Sequence, residues 1–169
     1  LKPVVRWMNE QCPDLQLSVE GSWSVGYEVC FYRDHIHAFH FNGSNSIRDK
    51  VVPETDRPFM FKRTFDLVLF HAEHLVIIEA KAQQGLSVGQ IAHFERDKED
   101  LNGLLGTLAP KVHLVLLCSQ SYSKKTRAGE LRERFDGTVT WKGFSEMATT
   151  WGGDRQTQEA LERADSMMV

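Results

Sequence analysis

The chain has 169 residues, of which 41% are hydrophobic and 25% charged, with a formal net charge of -3; this suits one domain over residues 1–169 and excludes a disordered or fibrous chain and a whole-molecule basic field. Cys12, Cys30 and Cys118 form no CxxC pair, which fits reduced thiols in a cytoplasmic protein rather than a disulfide frame or a zinc ribbon. No apolar run approaches the ~18 residues a membrane span needs, and no charged-then-apolar leader opens the chain at Leu1, so the expectation is no membrane partner, with the chain either one domain by itself or one domain of something longer.

Val25, Val29, Tyr32, Ile36 and Phe39 recur at steps of three and four, which predicts an amphipathic front helix, although YEVCFY alone also has the composition of a strand. Gly, Asn, Ser and Pro then cluster over residues 41–58, an irregular stretch that separates this helix from a sheet. Phe65 to Phe70 and Leu75 to Lys81 are β-rich runs divided by His71, Ala72, Glu73 and His74, which predicts a hairpin with both histidines at the surface. Ser87 opens a helix of about 18 residues with Ile91, Phe94, Leu101 and Leu105 on its apolar face. Val112 to Cys118 is an apolar run short enough for a buried strand, SKKTRAGELRERF reads as a basic amphipathic helix, GTVTW as a short strand, and Asp154 as the cap of a last helix reaching about Ala164. The predicted order is α, β, β, α, β, α, β, α.

The hairpin raises the chemical question, because its apolar strands carry Asp66, Glu79 and Lys81. Side chains alternate along a strand, so Glu79 and Lys81 leave one face together while Ala80 points the other way, and a hairpin partner brings Asp66 within reach. Two carboxylates converging at the edge of an apolar sheet repel and lose hydration, a cost that a cation between them relieves. Mg²⁺ prefers oxygen, and Asp66, Glu79 and the backbone carbonyl of Ala80 would hold it with sites left for water and a phosphate oxygen. Lys81 beside the ion would donate to a scissile phosphate or help deprotonate an attacking water. The chemistry is metal-assisted hydrolysis of a phosphodiester.

At these residues the chain resembles the PD-(D/E)xK nuclease superfamily, whose signature is an acid on one strand of a hairpin and acid-x-lysine on the next, matched by Asp66 and by Glu79, Ala80 and Lys81. Phe65 stands where the family's proline precedes the first acid. The resemblance covers roughly residues 25 to 118. It implies an α/β fold with a restriction-endonuclease-like αβββαβ core, a mixed central sheet flanked by helices, and a Mg²⁺-dependent deoxyribonuclease, with Mn²⁺ able to substitute, of the restriction or phage-defence type. It also implies a glutamate from a preceding helix, for which Glu28 is the candidate, and a Gln-x-x-x-Tyr helix, for which Gln90 to Phe94 gives Gln-x-x-x-Phe. Each residue keeps a second reading. Glu79 and Lys81 also fit an exposed pair at a strand end, Glu28 a solvated helix face, and Gln90 a capping box with Ser87.

DNA is the expected partner, alongside a second copy in a homodimer or other domains of a longer chain. Lys62 and Arg63, with Arg48, Lys50 and Arg57 before them, and Lys124, Lys125 and Arg127, with Arg132 and Arg134 after them, are candidate phosphate clamps or else solvated surface. The alternative function is a nonenzymatic nucleic-acid-binding or assembly module that keeps the fold. A zinc hydrolase built on Asp34, His35, His37 and His40 is a further rival, opposed by helical spacing that leaves His35 off the face shared by His37 and His40.

Overall fold

A computed structural model describes residues 1–30, 64–82, 86–105, 110–124 and 134–167. Its elements run α1 (Lys2–Gln11), β1 (Ser24–Val29), β2 (Phe65–Phe70), β3 (His74–Ala80), α2 (Val88–Leu105), β4 (Lys111–Cys118), α3 (Gln120–Ser123), β5 (Gly137–Thr140), α4 (Trp141–Thr150) and α5 (Arg155–Ser166), with a 3-10 turn at Pro13–Leu15. The strands form one five-stranded mixed sheet in the order β1-β2-β3-β4-β5. β1, β2 and β3 are antiparallel neighbours, whereas β3, β4 and β5 run parallel. A parallel step needs a long crossover, and α2 supplies the one from β3 to β4. No described helix is long and apolar enough to cross a membrane.

β3 and β4 are central, and their unbroken apolar runs follow from burial on both faces. One face packs Val68, Leu75, Ile77, Leu114 and Leu116 against Phe94 and Leu101 of α2. The other packs Leu69, Val76, Ile78, Val115 and Leu117 against Val5 and Met8 of α1. Trp7 of α1 meets Phe144 of α4 edge-on at 5.6 Å, so these two helices share that face. Burying a single Leu or Ile here contributes about 1.5–3 kcal/mol. Asp136 ties the second layer to the sheet: its Oδ2 accepts the Leu114 N–H at 2.8 Å and its carboxylate pairs with Lys98 of α2 at 2.6 Å.

Several predicted elements stand where the local patterns placed them. The hairpin strands, the helix opening at Ser87, the strand at 112–118, the GTVT strand and the helix capped by Asp154, whose Oδ1 accepts the Thr157 N–H at 2.8 Å, are all present. The front helix is not: residues 24–29 are the edge strand β1, while Tyr32, Ile36 and Phe39 lie outside the described residues. Val25, Tyr27 and Val29 are β-branched or aromatic and also satisfy a period of two, and hydrogen bonding to β2 decides between the two periods. The helix that precedes the three strands is α1 instead, which the apolar pattern did not single out. Where a basic helix was expected from Ser123, α3 ends at Ser123, and residues 125–133 lie outside the described residues.

Candidate functional site

Asp66 is the second residue of β2, and Glu79 and Ala80 close β3. The antiparallel register pairs Leu67 with Ile78, so one further step sets Asp66 across from Glu79. On the other side, Tyr27 pairs with Leu67 and Val29 with Phe65, which brackets Glu28 against Asp66. Glu28, Asp66 and Glu79 therefore occupy one row across three neighbouring strands. Glu28 reaches this row from a strand rather than the expected helix, in a left-handed backbone conformation (φ 48°) that is uncommon for a residue with a side chain.

Asp66 and Glu79 are held by short contacts. Ala80 N–H donates to Asp66 Oδ2 at 2.8 Å, crossing from β3 to β2. Lys81 Nζ lies 2.5 Å from Glu79 Oε1, with only 14% and 11% of the two side chains exposed. A pair this enclosed is no ordinary surface salt bridge, because both charges have given up most of their hydration. Lys81 itself is anchored through its backbone: its N–H donates to Leu117 O at 2.8 Å, and Trp141 Nε1–H donates to its carbonyl at 2.8 Å. The start of α4 thus fixes the residue that follows β3, a support that sequence reasoning missed because Trp141 lies 60 positions away.

Asp66 and Ala80 also line an apolar cavity of about 360 Å³, together with Trp7, Tyr27, Trp141 and Phe144. Low-polarity walls beside the Asp66 carboxylate strengthen whatever electrostatic interactions it forms there. Carboxylates on two neighbouring strands and a strand-end carbonyl are oxygen donors of the kind a hard divalent cation takes.

Comparison with protein-family models, curated proteins and solved structures finds no match.

Gln90 belongs to the first turn of α2. Its Oε1 accepts the Ser87 N–H at 3.1 Å while its own N–H donates to Ser87 Oγ at 3.2 Å, the reciprocal capping box at the start of α2. Of the candidate DNA contacts, Lys124 is exposed just after α3; Lys62, Arg63, Lys125 and Arg127 lie outside the described residues, as do Asp34, His35, His37 and His40. Arg134 pairs with Glu95 at 2.9 Å.

At the opposite end of β2 and β3, His71, Glu73 and His74 bring ligand-type atoms within 4.8 Å of one another. They do not offer a vacant ligand set, since His71 Nδ1 accepts the Glu73 N–H at 3.1 Å and His74 Nε2 accepts the Ser18 N–H at 3.2 Å. Nor are both surface residues, as the turn suggested. His74 is partly buried and touches His113, which is 1% exposed.

Proposed function

We propose that this chain is a Mg²⁺-dependent deoxyribonuclease with a restriction-endonuclease-like core. The observation that carries the reading is the row of Asp66 and Glu79 on neighbouring strands, with Lys81 held against Glu79. The order α1-β1-β2-β3-α2-β4 supports it, because αβββαβ is the order the PD-(D/E)xK resemblance implies.

Asp66, Glu79 and the Ala80 carbonyl would hold Mg²⁺, or Mn²⁺ in its place, with Glu28 as a further carboxylate in the row. When bound, such an ion polarises a phosphodiester and lowers the pKa of a water molecule. Lys81 balances Glu79 when no cation is present and donates to a phosphate oxygen when DNA is, stabilising the charge that develops there. Asp66 orients its carboxylate through the Ala80 amide, and exposed Lys124 is suited to a sequence-independent phosphate contact.

Incubating a supercoiled plasmid with the protein in Mg²⁺, in Mn²⁺ and in EDTA tests the reading. Cleavage should require the metal and disappear in Asp66→Asn. Metal-independent cutting, or an Asp66→Asn variant as active as wild type, would refute the assignment. DNA retention without any cutting would turn the chain into the nonenzymatic module instead.

A further inference from the structure

Between the 3-10 turn and β1, residues 16–23 form a strap laid along α1 and the β2–β3 turn. Asn9 grips it at Leu17 from both sides, with hydrogen bonds of 2.8 and 2.9 Å. Trp23 Nε1–H donates to Ser18 O at 2.9 Å, and the Trp23 ring stacks on His71 at 4.7 Å. His71 Nε2 contacts Glu20 O at 2.9 Å, and Gly21 (φ 84°) passes so close that an added Cβ would sit 2.5 Å from His71 Nε2. Leu17 is buried in the core and Glu20 pairs with Lys2 of α1 at 3.1 Å; the polar fastening of the strap to the hairpin is by imidazoles.

The protons on those imidazoles are dictated by the backbone. The Ser18 amide can only donate, so His74 Nε2 presents its lone pair at 3.2 Å. Neutral His74 then carries its proton on Nδ1, 3.1 Å from His113 Nε2, which must accept. A proton added to His113 either sets two N–H groups face to face or pushes the His74 proton round to Nε2, where it confronts the Ser18 amide. Every way of charging the pair sets a donor against a donor.

We propose that His74 and His113 form a pH-sensitive clasp: neutral, they hold the strap on the sheet, and protonated, they release it. The inference is independent of the nuclease reading. Burial is the chief cause that lowers the pKa of both rings, to about 4 for His113. The charged groups around them act on balance in the same direction. Lys111 and His71 disfavour charge on His74 against Glu73, while Lys111, His74 and Lys98 disfavour it on His113 against Asp136. Asp136 is itself engaged by Lys98 and the Leu114 amide.

Hydrogen exchange of the ¹⁵N-labelled chain tests the clasp, with each rate referred to its intrinsic value at that pH. Between about pH 7.5 and 4.5, protection at the Ser18 amide and the Trp23 indole N–H should fall by about tenfold or more while the Val115 amide in β4 stays protected. A fall shared by Val115 is general acid unfolding and overturns the proposal, as does unchanged protection at Ser18. In the double variant His74→Gln, His113→Gln, which keeps acceptors but cannot titrate, the strap should stay protected across the range; a fall equal to wild type overturns the clasp. The wild-type imidazole Cε1–H shifts decide the matter even if that variant fails to fold: midpoints for His74 and His113 below the ordinary 6.5 are expected, and midpoints at or above it overturn the proposal.

Discussion

β2 and β3 end in two polar sites that treat positive charge in opposite ways. At one end Glu28, Asp66 and Glu79 share a row and Lys81 pairs with Glu79, so that among these four residues acids outnumber bases. At the other, burial lowers the pKa of His74 and His113, and because His74 accepts the Ser18 amide and meets His113 through its other nitrogen, an added proton sets donor against donor. The same hairpin supports both because a strand end can leave its polar groups to side chains or to backbone. A carboxylate at a strand end collects positive charge, as Glu79 does from Lys81; an imidazole that accepts an amide hydrogen, as His74 does from Ser18, resists it.

The largest effect should come from breaking the carboxylate end. Lys81→Ala should lower plasmid cleavage by at least ~10² while Ca²⁺-supported DNA binding persists, because the ligands remain; Glu79→Gln should lose metal binding and cleavage together. Equal failure of the two variants in the binding assay would remove the distinction between ligand and catalytic cation.

Acid should act on the histidine end. His113, with its folded pKa lowered to about 4 from 6.5, binds fewer protons folded than unfolded between those values. Its contribution is whole above about pH 6.5 and is lost as pH falls toward about 4, a loss of up to about 3 kcal/mol in urea denaturation. His113→Gln should flatten much of that slope.

Adding the metal should move the carboxylate end the other way. Mg²⁺ at a hundred times its Kd should stabilise the fold by about 2.7 kcal/mol, seen as a rise in Tm that Asp66→Asn removes. An equal rise in both proteins would place the ion elsewhere. The smallest effect belongs to Gln90→Ala, which should cost about 1 kcal/mol through the capping box and leave cleavage per folded molecule unchanged. A large loss of rate would return Gln90 to the catalytic group.

Much of the sheet could be read from the chain because its signals are local. The apolar runs of β2, β3 and β4, the Ser87 and Asp154 caps and the GTVT strand each carry their pattern within a few residues. The identities of Asp66, Glu79 and Lys81 stood out for the same reason, as charges in otherwise apolar strands. Val25 to Val29 did not resolve locally, since the same side chains satisfy a helical and an alternating period, and only the hydrogen-bond partners on β2 select one. Sequence likewise left Gln90 divided between two roles, and its reciprocal bonds with Ser87 show the capping one.

What the sequence by itself determined is the kind of chemistry available, which strands are buried and where several helices begin, because these depend on residue type and short spacing. Only the tertiary structure decided which groups meet: Glu28 joining the acid row from an edge strand, Trp141 holding the Lys81 carbonyl, and His113 facing His74 across 39 positions. Such contacts are set by the register and packing of strands and helices distant in sequence, and no local period encodes them.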